Sequence, residues 1–108
     1  MPYNIVTLPE FDKNVNKLAK RYKNIKNDLL SLVLELQNNP KSGTHLFKNC
    51  YKIRLANSSV PTGKSKGFRA ITYFIDENSN IYLLTIYSKS DQENITDLEI
   101  IELLQEIK

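Results

Sequence analysis

The chain has little of what most catalytic centres are built from. Its 108 residues contain one cysteine, one histidine, no tryptophan, three glycines and four prolines. A lone Cys50 permits no internal disulfide, which fits a reducing cytoplasm, so the Asn-x-Ser/Thr matches at Asn57 and Asn94 carry no meaning for glycosylation. One His, one Cys and no carboxylate cluster outside turns and the last helical stretch leave metal-ligand sets without their residues. Ser-His-acid and Cys-His arrangements have no signature either, and neither metal nor other cofactor is expected. No apolar run approaches the ~20 residues of a membrane span. No basic-then-apolar leader opens the chain, so neither a membrane nor export is expected.

What is present is ordinary in bulk and uneven in order. With 41% apolar and 25% charged residues, the composition is that of a globular protein, and the length fits one domain over 1–108. The net charge is only +3, yet Lys13, Lys17, Lys20, Arg21, Lys23 and Lys26 crowd one early stretch. Residues 41–89 carry eight Lys and Arg against Asp76 and Glu77, while residues 91–107 carry six acids and no base. So positive a middle segment suits a polyanion, nucleic acid above all; a solvated surface with charge segregated by chance accounts equally well for charge alone.

Residues 3–7 are β-prone, and Thr7-Leu8-Pro9-Glu10 has the spacing of a capping box. Phe11, Val15, Leu18 and Tyr22 then form one helical face, with Lys13, Lys17, Lys20 and Arg21 mostly off it. A second helix over 24–38 carries Ile25, Leu29, Leu32, Val33 and Leu36. Leu30 and Leu34 widen its stripe, so it is expected to be covered on two sides. The short link between the two predicts an antiparallel helical hairpin.

Residues 44–47 allow a short strand, and His45 there is either a general base or a polar loop residue. The second is preferred, since no partner carboxylate is close in sequence. In Cys50–Leu55, Lys52 and Arg54 alternate with Tyr51, Ile53 and Leu55 and so share a face. Phe68–Ile75 and 81–87 read as a central antiparallel hairpin; if the last strand reaches residue 89, Tyr87 and Lys89 share a face too. The loop 57–67 is polar, basic and expected to be mobile. Its Gly63-Lys64-Ser65 is no phosphate loop, because residue 58 is Ser and a strand follows where that motif needs a helix. Thr96-Asp97-Leu98-Glu99 is a second capping box, with Ile95 and Ile100 as its hydrophobic staple, opening a terminal helix striped by Leu98, Ile101, Leu104 and Ile107. The predicted fold is α+β: a small antiparallel sheet packed against the helical hairpin, with a C-terminal helix and all helices on one side.

Lys52, Arg54, Lys64, Lys66, Arg69, Tyr87 and Lys89 thus gather near strand ends, a set suited to a phosphodiester. Arginines grip phosphate in bidentate fashion and stabilise charge building on its oxygens. Crowded cations lower the pKa of a neighbouring lysine toward that of a general base, and Tyr87 could stack on an unpaired base.

Cys50-Tyr51-Lys52-Ile53-Arg54-Leu55, Gly67-Phe68-Arg69 and Leu83-Leu84-Thr85-Ile86-Tyr87-Ser88-Lys89 resemble, in order and spacing, the RelE/HigB toxins of type II toxin–antitoxin pairs. The resemblance spans nearly the whole chain, and the Lys-Ile-Arg, Gly-Lys-Ser-Lys-Gly and Leu-Thr-Ile-Tyr-x-Lys segments look nearest the HigB branch. It implies a RelE-like fold and a metal-independent endoribonuclease that cuts mRNA in the ribosomal A site by attack of the 2′-hydroxyl. In that scheme Lys52 is the general-base candidate and Lys89 protonates the leaving oxygen. Arg54 and Arg69 stabilise the phosphorane, Tyr87 completes the catalytic set, and Lys48, Lys64 and Lys66 hold RNA. The implied partners are the ribosome, mRNA and a cognate antitoxin, a small helix-turn-helix or similar protein. The chain departs from the best-known branch in having Lys89 for an Arg and Ile95 for a stacking Tyr. Two alternatives remain at this point: a toxin of the same fold acting on DNA gyrase, and a non-catalytic RNA- or protein-binding module. The retained cations favour the nuclease.

Overall fold

The computed structural model describes residues 3–61, 66–75, 77 and 79–107. Five strands form one sheet in the order β1-β5-β4-β3-β2: β1 (Asn4–Thr7), β2 (Thr44–Phe47), β3 (Cys50–Leu55), β4 (Phe68–Ile75) and β5 (Asn80–Ser88). Three helices flank it: α1 (Pro9–Ala19), α2 (Ile25–Asn38) and α3 (Asp97–Leu104). The β2–β3, β3–β4 and β4–β5 pairs are antiparallel, as expected; β1 adds a parallel strand along β5, which makes the sheet mixed. The central place of β4 follows from its sequence, apolar on both faces apart from Arg69 and Thr72.

The two faces are covered by different helices. Ile53, Leu55, Phe68, Ala70, Phe74, Ile81, Leu83 and Ile86 meet Phe11 and Leu18 of α1, Tyr22, and Ile25, Leu32 and Leu36 of α2 in one apolar cluster. Tyr22 and Phe68 meet edge to face at 5.5 Å. A second, smaller cluster joins Cys50, Ile71 and Leu84 to Leu8 and to Ile100 of α3. Ile71 and Cys50 alternate with Ala70 and Ile53 along their strands, so α3 lies on the opposite face from the hairpin. This corrects the expectation that all helices share one side. A short helix with an apolar stripe fits either face, and its own sequence does not choose.

Two further expectations fail locally. Leu30 and Leu34 are 63% and 64% exposed, so α2 is covered on one side only. The first capping box does not form: Leu8 is the N-cap of α1, and the Thr7 hydroxyl, held in β1, donates instead to Asp12 Oδ2 at 3.1 Å. Pro9 still begins the helix, where its missing N–H is no loss. The second box forms in full: Thr96 Oγ1 accepts from the Glu99 N–H at 3.1 Å, and the Thr96 N–H donates to Glu99 Oε1 at 3.0 Å. The Thr96 N–H and the Thr96 hydroxyl, each donating to Glu99 Oε1 at 3.0 Å, hold that carboxyl below its ordinary pKa.

One irregularity decides which side chains reach which face. In the β4–β5 ladder Ile71 pairs with Thr85 but Thr72 pairs with Leu83, leaving Leu84 as an extra residue in β5. Such a bulge switches the parity of everything beyond it. Ile81, Leu83 and Tyr87 are all odd-numbered and would share a face in a regular strand. Ile81 and Leu83 point into the hairpin core, and Tyr87 lies opposite Arg69 on the other face.

Candidate functional site

The ladder sets Arg54 directly opposite Arg69, and Arg69 directly opposite Tyr87. The three form one row across β3, β4 and β5, on the α3 face. Lys52 stands two residues back along β3 on the same face, opposite Ile71, a step of about 7 Å. Lys89 follows the end of β5, and its N–H continues the ladder by donating to the Gly67 carbonyl at 3.0 Å. Gly67 is tight against β3: a Cβ there would sit 2.1 Å from the Leu55 carbonyl oxygen. A side chain at 67 would therefore push the Arg69 end of β4 away from Arg54.

Directly opposed like charges are destabilising in a sheet, and Arg69 is only 5% exposed beside the exposed Arg54. An Arg69 Nη1 hydrogen donates to the Phe68 carbonyl at 3.2 Å. Tyr87 is 6% exposed; burial pushes its phenol above the ordinary range, partly offset by the Arg69 guanidinium, and its hydroxyl has no hydrogen-bond partner among the described residues. Its covered ring is not presented to a stacking base in this conformation.

Of the other expected residues, Lys66 is exposed and lies just before Gly67, at the Arg69 end of β4. Lys64 lies outside the described residues, as do residues 62–65 of the basic loop. Lys48 sits in the β2–β3 turn at the Cys50 end of β3, about 17 Å of strand from the Leu55 end, and is not brought to the row. His45 pairs with Tyr51, hence on the face away from Lys52, and its Nε2 lies 2.7 Å from the Lys48 carbonyl oxygen. Neither geometry nor partner gives it a part in the row. Buried Cys50, its thiol pushed up to about 11 by desolvation, belongs to the α3 cluster.

Several residues at the site went unnoticed in the sequence. Lys52 Nζ donates to Asn94 Oδ1 at 3.3 Å, and Lys89 Nζ to the Glu93 carbonyl and Oε2 at 3.0 and 3.2 Å. Arg21 of the α1–α2 link grips both oxygens of Asp91 at 2.9 and 2.7 Å, which raises its already high pKa. Beside the row, a cleft of about 370 Å³ opens between α1 and the segment before α3, with Tyr87, Thr85, Asn14, Arg21 and Gln92 in its wall. Asn14 Nδ2 donates to Thr85 Oγ1 there at 2.8 Å. The Lys89–Glu93 pair forms across a turn rather than along a helix, and the Lys52–Asn94 contact spans 42 positions, so neither had a periodic signal in the sequence.

The fold has counterparts among solved structures. A double-mutant form of the E. coli toxin RelE in the free state is similar over 100% of both chains, at a TM-score of 0.60 and 17% identity. A RelE mutant in complex with an antitoxin RelBc peptide matches at 0.57 and 17%, over 100% of this chain and 97% of that one. Isolated E. coli RelE matches at 0.57 and 15%, over 97% and 99%. This chain has a RelE-like fold. No protein-family model matches it. Among the described residues no helix is long and apolar enough to cross a membrane.

Proposed function

We propose that this chain is the toxin of a type II toxin–antitoxin pair, a ribosome-dependent endoribonuclease that cuts mRNA in the A site. The observation that carries this is the row Arg54–Arg69–Tyr87 with Lys52 on the same face. Two arginines directly opposite each other in the ladder are suited to binding one phosphodiester between them. Fold similarity to RelE, whose complex with an antitoxin peptide is known, supports both the toxin assignment and a cognate antitoxin as partner.

The chemistry follows from the groups at hand. The 2′-hydroxyl attacks the adjacent phosphate with Lys52 as general base. Charge builds on the non-bridging oxygens against Arg54 and Arg69, and Lys89 protonates the departing 5′-oxygen. Bond making and breaking leave a 2′,3′-cyclic phosphate, with no metal step required. Tyr87, packed against Arg69, fixes the buried guanidinium, and Lys66 with Lys64 holds the RNA backbone from the loop.

Primer extension on mRNA from cells expressing the protein is the test. Cuts within translated codons are expected, and only in transcripts engaged by ribosomes. Intact transcripts alongside DNA damage would transfer the assignment to gyrase, and ribosome binding without any cleavage would reduce the protein to a binding module.

A further inference from the structure

The acidic run that closes the sequence has no part in the chemistry above, yet it is tied to the cations that do. Beyond Ser88 the chain turns on two bonds to the Ser88 carbonyl, from the Asp91 N–H at 3.0 Å and the Gln92 N–H at 3.1 Å. Residues 91–94 then make three side-chain attachments. Asp91 is held by Arg21 on the far side, Glu93 lies on Lys89, and Asn94 lies on Lys52. A segment that leaves β5 and meets a β3 side chain bridges the strand between them, and that strand carries the nearly covered Arg69. The groups it offers are a carboxylate and amide or carbonyl oxygens, acceptors of the kind a phosphodiester would offer the same ammonium groups. Asn94 Oδ1 also accepts from the Ile95 N–H at 2.9 Å, which locks its side chain in the orientation that meets Lys52.

We infer that residues 90–95 are an internal competitor for the RNA phosphate: a strap that holds Lys52 and Lys89 in the free protein and that single-stranded RNA must displace. This rests on the cationic row being the RNA site. Arg21, across the cleft from the row and not part of it, is then a latch that stabilises the closed strap through Asp91.

The latch makes the inference separable from bulk charge. Arg21→Gln removes a positive charge and Asp91→Asn removes a negative one. Simple attraction of a polyanion therefore predicts weaker binding for the first and tighter binding for the second. Release of the strap predicts that both bind tighter, by about two- to five-fold each, the range a partly exposed ion pair supplies, and that the double variant gains no more than either alone. The measurement is fluorescence anisotropy of the full-length protein with a 2′-O-methyl single-stranded RNA oligonucleotide, which cannot be cleaved. Lys20→Gln, one residue from the latch, serves as the charge control and is expected to bind slightly more weakly. Circular dichroism melting checks that each variant folds, and Glu93→Gln, which loosens the strap at Lys89, is expected to tighten binding if Arg21→Gln fails that check. Unchanged or weaker affinity in Arg21→Gln, with wild-type binding lost in Lys52→Ala, overturns the strap and leaves the site standing. Binding that is indifferent to Lys52→Ala overturns the site assignment, and the strap with it.

Discussion

On one face of the sheet, apolar side chains from Ile53 to Ile81 lie beneath α1 and α2, with the buried Thr72 among them; on the other they stop at Cys50, Ile71 and Leu84 beneath α3, and the row beyond them is Arg54, Arg69 and Tyr87. The first face is used wholly for burial. The second is divided, half covered by an eight-residue helix and half given to charge. The difference shows how a chain this small accommodates two opposed arginines: the hairpin face supplies most of the apolar burial, which leaves the opposite face room for charged groups.

That division can be broken from either side. Leu32→Ala, at a fully buried position under the hairpin, is expected to destabilise by about 2–5 kcal/mol in urea denaturation. Ile100→Ala removes the main anchor of α3 from a smaller cluster that can close in after it, so its cost should fall near the low end, about 2 kcal/mol, by the same assay. A loss equal to that of Leu32→Ala would mean that the two faces contribute alike. Thr96→Ala deletes the capping box of α3 and should cost about 1 kcal/mol. Leu30→Gln, on the uncovered side of α2, should change stability by no more than about 0.5 kcal/mol, and a larger loss would show that this side is covered in solution.

The first face was legible in the sequence. Helical spacing of Phe11, Leu18, Leu32 and Leu36 and β-rich runs in β3, β4 and β5 place most of the core, because burial imposes those periods. The pairing of Lys52 with Arg54 on one face was legible for the same reason, since β3 is regular. Tyr87 was not: its parity matches that of Ile81 and Leu83, and only the extra residue Leu84 turns it toward Arg69. Nothing in Leu83-Leu84-Thr85 marks a bulge, which arises from register with the neighbouring strand. Nor was the cover over Lys52 legible, because Asn94 approaches it only once α3 has chosen its face. Thr7 shows the converse error. Its spacing to Glu10 satisfies the capping pattern, but β1 fixes its backbone first.

The measurement that bears most directly on the cationic row is cleavage of a defined mRNA on purified ribosomes, under single-turnover conditions, by wild type and by Arg69→Ala. If Arg54 and Arg69 together stabilise the phosphorane, Arg69→Ala should slow cleavage by about 10²–10³-fold. It should still co-sediment with ribosomes, and the wild-type fragment should end in a 2′,3′-cyclic phosphate. An Arg69→Ala protein that cuts at the wild-type rate would contradict the assignment of the row as the catalytic site.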